Sequence, residues 1–264
     1  MVKPIRKTAT VPVMPCNDNS LDGRVALITG AAHRLGAHTA RALHAAGMDV
    51  IIHYRRSRTP AQALVDTLNA RRENSALALS GDLAKMEDIP RIAADAAAWR
   101  GRLDVLVNNA STFFPTPLGS IDETQWEDLM SSNLKGPFFL SQACAPWLKK
   151  QRGCIVNMVD IHGLRPLRKH PVYSIAKAGN AMMVQALAHE LGPEVRVNGV
   201  APGAILWPAQ GLDDAARQQI LDRTALNAIG DPDDIACTIL FLVRDALYVT
   251  GQIIAVDGGR TAQQ

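Results

Sequence analysis

A tyrosine and a lysine are the residues in this sequence best placed to do chemistry, because they stand four positions apart in the segment Tyr173-Ser174-Ile175-Ala176-Lys177. On a helix, positions i and i+4 lie on one face, so both side chains can reach the same pocket. A nearby ammonium group can lower the pKa of a tyrosine hydroxyl. The spacing therefore predicts that Tyr173 and Lys177 act together in proton transfer.

An aspartate precedes Tyr173 by 13 residues. Asp160 directly follows the apolar run Cys154–Val159, so we expect it at the carboxyl end of a strand. Together with Tyr173, its carboxyl group can relay a proton to a substrate. The alternative interpretation is structural, namely a helix cap or a salt bridge to Arg165 or Arg168.

A glycine-containing turn lies near the start of the chain. Thr29-Gly30-Ala31-Ala32-His33-Arg34-Leu35-Gly36 follows a predicted strand and opens a predicted helix. Glycines let the backbone approach a pyrophosphate, and the helix N-terminus supplies free N–H groups and a partial positive charge. The segment therefore predicts a dinucleotide-binding turn. A cation at this position opposes the helix dipole, so Arg34 either faces an anion or points to solvent.

The end of the second predicted strand indicates which dinucleotide binds. NAD sites usually place an acidic residue there to hold the ribose 2′-OH. Here the strand ends His53-Tyr54-Arg55-Arg56-Ser57, without a carboxylate. Arginine forms bidentate, charge-assisted bonds to phosphate. The segment therefore favours NADPH over NADH.

The elements that must position these residues alternate between strand and helix. Near-continuous apolar runs are typical of strands buried on both faces, and helical segments between them imply a parallel sheet. We predict an α/β fold with a single Rossmann-type, doubly wound parallel sheet of about seven strands flanked by helices, with its crevice at the carboxyl ends of the strands. The predicted strands are Val25–Thr29, Asp49–Tyr54, Ala76–Ser80, Leu103–Asn108, Cys154–Val159, Val195–Val200 and Ile253–Val256.

Composition and length narrow the protein class. We expect a flexible N-terminal tail at 1–21 and one domain at 22–264, with the irregular segment near 205–228 forming a substrate lid or a surface decoration. The net charge of +3 demands no nucleic-acid partner. The four cysteines and seven histidines show no metal-site spacing, so no metal is predicted. Without an apolar span or secretory signal, we expect a cytoplasmic protein without a membrane partner.

Several motifs together resemble the short-chain dehydrogenase/reductase family. They are the glycine turn, Asn108-Asn109-Ala110, the Tyr173–Lys177 pair and the ending Val256-Asp257-Gly258-Gly259. The resemblance covers about Arg24–Arg260. It implies that Asp82 contacts adenine and that Asn133 positions Lys177 through water. It also implies a homotetramer.

Departures from the common family pattern resemble pteridine reductases. Arg34 stands where the middle glycine is usual, and Asp160 stands where a serine is usual. Ser111 and Phe113 resemble the segment that holds the pterin ring in those enzymes. The resemblance implies NADPH-dependent reduction of a pterin C=N bond, with Phe113 stacking on the substrate. The alternative for Phe113 is a hydrophobic loop plug.

The predicted site has three parts. The catalytic residues are Asp160, Tyr173, Lys177 and Asn133. The cofactor residues are Gly30, Arg34, Leu35, Gly36, Tyr54, Arg55, Arg56, Ser57, Asp82, Leu83, Asn109, Ala110, Tyr173, Lys177, Pro202 and Gly203. The substrate residues are Arg34, Ser111, Phe113, Asp160, Tyr173, Leu206 and Trp207. The alternatives are a reductase of ketoacyl thioesters, sugars or steroids, and a non-catalytic NADPH sensor.

Overall fold

A computed structural model describes residues 20–207 and 213–262. Seven parallel strands form one sheet in the order β3-β2-β1-β4-β5-β6-β7. The strands are β1 (Val25–Ile28), β2 (Asp49–Tyr54), β3 (Ala76–Ser80), β4 (Val105–Asn108), β5 (Cys154–Met158), β6 (Arg196–Pro202) and β7 (Ile253–Val256). The order reverses between β1 and β4, which opens a crevice at the carboxyl ends of the strands.

Helices cover both faces of the sheet. They are α1 (Arg34–Ala45), α2 (Arg58–Asn69), α3 (Asp88–Ala98), α4 (Glu123–Met130), α5 (Gly136–Gln151), α6 (Pro171–Leu191), α7 (Asp214–Asp222) and α8 (Pro232–Arg244). No helix of the described residues is both long and apolar enough to cross a membrane.

Alternation of buried side chains along the strands explains the layered core. In β1, Ala26 and Ile28 pack with residues of α1, α2 and α8. Val25 and Leu27 point to the opposite face and pack with residues of α3, α5 and α6. Because both faces are covered, all four residues must be apolar. The predicted fold class is confirmed.

The predicted strand limits agree closely with the observed ones. β2, β3 and β7 begin and end at the predicted residues. β6 continues past Val200 to Pro202, because its last residues pair with Ala255 and Val256 of β7. At the other end of the chain, Leu21, which the sequence assigns to the tail, is buried in the core. The folded domain therefore begins no later than Leu21.

A five-residue π-helical segment, Ser131–Lys135, joins α4 to α5. A capping box starts α4, with the Asp122 carboxylate accepting from the backbone N–H of Gln125. Short π segments often occur at functional sites, because they turn side chains out of the helical register. The segment here carries Asn133.

The predicted lid segment, 205–228, is described in part. It includes Ile205, Leu206 and Trp207 and then α7. Residues 208–212 and most of the predicted tail, 1–19, lie outside the described residues.

Candidate active site

A cavity of about 940 Å³ opens at the carboxyl ends of the strands. It follows the edge of the sheet from the residues after β3 to Arg260, which follows β7. Every predicted site residue except Asn133 lines it. The sequence did not single out several further lining residues, among them His33, Thr112, His162, Leu167, Ile220 and Arg260.

The Tyr173 hydroxyl donates a hydrogen bond of 2.6 Å to Oδ2 of Asp160. Tyr173 lies in the first turn of α6, and Asp160 follows β5. The other carboxylate oxygen of Asp160 accepts from the backbone N–H of His162 at 2.8 Å, which caps a short 3₁₀ turn. Asp160 is therefore both a cap and a partner of Tyr173, so the two interpretations of this residue are compatible.

Burial sets the ionisation of Tyr173. The side chain is 4% exposed, and burial raises the pKa of its hydroxyl far above 10. The charge of Asp160 and its hydrogen bond raise the pKa further, whereas a hydrogen bond with Ser111 acts in the opposite direction. We expected Lys177 to lower this pKa, but burial and Asp160 dominate. Tyr173 therefore holds its proton and can donate it.

Lys177 lies one turn further along α6 and is 2% exposed. Its Nζ donates to the carbonyl oxygen of Met158 at 2.9 Å. Burial lowers the pKa of Lys177 to about 8, although the charge of Asp160 acts to raise it. The ammonium group lies 5.7 Å from the Tyr173 ring centroid, so both residues face the same end of the cavity, as the i, i+4 spacing predicts.

Asn133 is fully buried behind the cavity wall. Its Oδ1 accepts from the Ser111 hydroxyl at 2.6 Å, and its Nδ2 donates to the Thr112 carbonyl at 3.0 Å. Its own carbonyl accepts from Nδ2 of Asn180 at 2.8 Å. In this structure Asn133 therefore braces the loop that carries Ser111, whereas Lys177 is held by Met158.

Close packing makes glycine necessary in the turn after β1. A Cβ at Gly30 would lie 2.9 Å from Cα of Ala110, and one at Gly36 would lie 2.5 Å from Nδ2 of Asn109. The Asn109 side chain ties the turn down by donating to the carbonyl of Thr29 at 2.7 Å. The backbone of this turn lines the cavity directly, and so does the N-terminus of α1. This arrangement fits a pyrophosphate.

Arg34 adopts a left-handed backbone conformation, with φ of 49°. Only glycine adopts this conformation without strain, which explains why glycine is usual at this position of the family turn. Its side chain is exposed at the cavity wall.

The end of β2 carries the cations expected for a phosphate. Arg55, Arg56 and Ser57 line the cavity. The Arg55 guanidinium is 3.9 Å from the carboxylates of both Asp82 and Asp128, which hold it loosely in place. Ser57 precedes α2 and makes no side-chain cap, so no cap occupies its hydroxyl. Asp82 and Asp128 offset part of this positive charge, but the guanidinium groups of Arg55 and Arg56 offer donors that suit an additional phosphate group.

Aromatic rings border the other end of the cavity. Phe113 is 54% exposed, which does not suit a buried plug. Its ring stacks on His170, with centroids 4.7 Å apart and planes inclined by 7°, and meets the Tyr173 ring edge-on at 4.8 Å. Trp207 packs with the guanidinium of Arg217, 5.7 Å from its ring centroid. Phe113 thus has one face covered by His170, and its ring lies close to that of Tyr173 at the cavity wall.

Comparisons with known proteins agree with this geometry. A family model described as enoyl-(acyl carrier protein) reductase matches residues 30–261. The chain is 36% identical to pteridine reductase 1 of Leishmania tarentolae over 89% of this chain and 95% of that protein. It is 34% identical to 3-oxoacyl-(acyl-carrier-protein) reductase FabG of Staphylococcus epidermidis, over 89% and 97% of the two chains. It is 35% identical to 3-oxoacyl-(acyl-carrier-protein) reductase of Synechocystis sp., over 91% and 98%.

Proposed function

The chain belongs to the short-chain dehydrogenase/reductase family of oxidoreductases, and from this premise we propose that it reduces a C=N bond of a pterin with NADPH. The observation that carries the proposal is the 2.6 Å hydrogen bond between Tyr173 and Asp160. A ketone reductase has to protonate one carbonyl oxygen, for which a hydroxyl group is sufficient. A carboxyl group beside that hydroxyl gives the site a second proton carrier.

The cofactor half of the cavity fits NADPH. Gly30, Gly36 and the start of α1 would hold the pyrophosphate, and Arg55 with Arg56 would hold the 2′-phosphate. Lys177, which lines the same cavity, would bind the nicotinamide ribose. When bound, NADPH supplies a hydride to the substrate carbon.

The strained backbone at Arg34 supports an anionic or hydrogen-bonding ligand. A non-glycine residue at φ of 49° has a conformational cost, and a cation at a helix N-terminus opposes the dipole. Both costs are offset if the guanidinium contacts a phosphate of the cofactor and the edge of the substrate ring.

The chain's own residues then complete the reduction. Tyr173 donates its hydroxyl proton to the ring nitrogen while the adjacent carbon accepts the hydride, so the C=N bond becomes CH–NH. Asp160, which is half-buried, carries a replacement proton from solvent to Tyr173. Phe113 and Ser111 place the flat ring against this pair.

The second candidate is reduction of a 3-oxoacyl thioester. Two of the relatives named above carry that activity in their names, at identities close to that of the pteridine reductase. Tyr173 and Lys177 would suffice for that reaction. Asp160 would then be a cap of the 3₁₀ turn and would contribute little to turnover.

A substrate panel with Asp160→Asn separates the two candidates. The unaltered protein should oxidise NADPH with dihydrobiopterin much faster than with an acetoacetyl thioester. Asp160→Asn should slow pterin reduction about 10²–10⁴-fold and leave NADPH binding intact. Faster thioester reduction, unaffected by Asp160→Asn, would replace the pterin assignment with the thioester one.

A further inference from the structure

The cavity wall beyond Tyr173 contains an arginine that the proposed reaction does not use. We define the substrate half as Ser111, Phe113, Asp160, His162, Leu167, Leu206, Trp207, Ile220 and Arg260. Among the described residues that line the whole cavity, Arg34, Arg55, Arg56 and Lys177 already have a role in the proposed reaction, and Arg260 is the remaining arginine or lysine. Arg260 follows β7, the last strand of the chain, whereas Phe113 follows β4.

A rigid turn presents Arg260 to the cavity. Gly258 and Gly259 adopt φ of 61° and 81°, and the Asp257 carboxylate accepts from the Gly259 N–H at 2.9 Å and from the Thr261 N–H at 2.8 Å. The Thr261 hydroxyl donates to the same carboxylate at 2.7 Å. The Asp257 carboxylate therefore holds the turn and makes no direct ion pair with Arg260, although its negative charge acts to raise the pKa of Arg260.

Within the described part of the chain, the Arg260 guanidinium makes neither a hydrogen bond nor an ion pair. Its residue is partly buried, and burial lowers its pKa, as does the like charge of Arg223 at the end of α7. The charge of Asp160 acts to raise the pKa of Arg260, but that carboxylate accepts hydrogen bonds from Tyr173 and His162 and makes no ion pair with Arg260. A guanidinium group that lines a cavity with its N–H donors unoccupied is a favourable position for an anion.

We propose that Arg260 binds a carboxylate on the side chain of the substrate. This inference rests on the proposed function for the identity of the ring. Arg260 lines the same cavity as Phe113 and Tyr173, so a substituent that extends from the ring across this cavity would meet its guanidinium group. Arg260 thus selects pterins with an acidic tail, of the folate type, over pterins with a neutral one.

Paired substrates test this selection. The unaltered protein should have a higher kcat/KM for dihydrofolate than for dihydrobiopterin, and high salt should reduce that ratio because it screens exposed charges. Arg260→Gln should lower kcat/KM for dihydrofolate about 10- to 150-fold, the range of a charged hydrogen bond, and leave dihydrobiopterin nearly unchanged. Arg260→Lys should retain part of the effect, and Arg58→Gln, on α2 and outside this cavity, should have none.

A binding measurement separates this inference from the proposed function. 4-Aminobenzoylglutamate, the acidic tail alone, should bind the NADPH-loaded protein in calorimetry and lose that binding in Arg260→Gln. If neither pterin is reduced but the tail still binds through Arg260, the anion site stands and the pterin assignment fails. If both pterins are reduced and Arg260→Gln affects them equally, or weakens NADPH binding instead, the inference is overturned. An absence of tail binding to the unaltered protein would also overturn it.

Discussion

The two halves of the cavity are built in different ways. In the cofactor half, the residues directly follow the ends of strands: the glycine turn follows β1, Arg55 follows β2 and Asn109 follows β4. Close contacts fix this backbone, such as the one between Gly36 and Asn109. In the substrate half, exposed or half-buried side chains come from segments far apart in the chain, for example Phe113, Trp207 and Arg260. A family can therefore keep one cofactor site while its loops change the substrate. In the proposed reaction, Tyr173 and Lys177 stand at the boundary and serve both halves.

Tyr173→Phe should have the largest effect, because it removes the proton donor at this boundary. Turnover should fall about 10²–10⁴-fold, the usual cost of losing a general acid. The affinity for NADPH, measured by fluorescence titration, should stay the same, since the cofactor half is untouched. Tyr248→Phe is the matched control, because Tyr248 is fully exposed to solvent. Equal activity of the two variants would remove Tyr173 from the reaction.

Arg56→Asp should act on the cofactor half alone. Replacing a cation by an anion removes a charged hydrogen bond to the 2′-phosphate, so the ratio of kcat/KM for NADPH to that for NADH should fall about 10- to 150-fold. Arg58→Asp, two residues later on α2, should leave the ratio near that of the unaltered protein. A ratio near one in the unaltered protein would contradict the NADPH assignment.

The pH dependence should report on the coupling of Lys177 and Asp160. The pKa of Lys177 is lowered to about 8 by burial, so Lys177 loses its charge as the pH rises through this value, and kcat/KM should fall there. The charge of Asp160 acts to raise this pKa. Asp160→Asn should therefore lower the pKa of Lys177 and move the alkaline fall of kcat/KM to lower pH. At a fixed pH above this pKa, each unit by which the pKa falls should lower the charged fraction of Lys177, and with it kcat/KM, about tenfold. A shift to higher pH in the pH–rate profile would refute this coupling.

Phe113→Ala should have the smallest effect, and the effect should be confined to the substrate half. Loss of ring stacking should weaken binding of a pterin inhibitor such as methotrexate by about 0.5–1.5 kcal/mol beyond the loss of buried area. NADPH affinity should not change. Phe138→Ala is a suitable control, because Phe138 is a partly exposed ring on α5, outside the cavity. If the unaltered protein and Phe113→Ala bind the inhibitor with equal affinity, the pterin ring of the inhibitor does not stack on Phe113.

The sequence predicts the cofactor half better than the substrate half, and the reason is physical. A parallel strand buried on both faces is a readable apolar run, so the residue after its end, such as Asp160 or Asn109, can be placed at the crevice from the sequence. Arg260 and Ile220 reach the cavity through a turn and a helix whose positions depend on tertiary packing. Arg260 directly follows the recognisable Asp257-Gly258-Gly259 ending. This position could have marked Arg260 as a candidate, but the sequence does not indicate that its side chain reaches the cavity.

The same limit applies to Asn133 and His170. The family resemblance indicates Asn133. Its contact with Ser111, however, depends on the π segment, and no periodicity in the sequence indicates that segment. His170 was not singled out, yet its ring stacks on Phe113. The pairing arises because the loop after β4 crosses the start of α6, where the backbone N–H of Thr116 donates to the carbonyl of Lys169 at 2.7 Å.

The π segment Ser131–Lys135 also determines which changes in chain length this protein can accept. A π turn contains more residues than an α turn, so deleting one residue here would fuse α4 and α5 into a regular helix. The deletion would remove the wide turn that holds Asn133 out of the helical register, so Asn133 would lose its contact with Ser111. Exposed loops should therefore gain and lose residues among relatives, whereas Glu123–Gln151 should keep its number of residues.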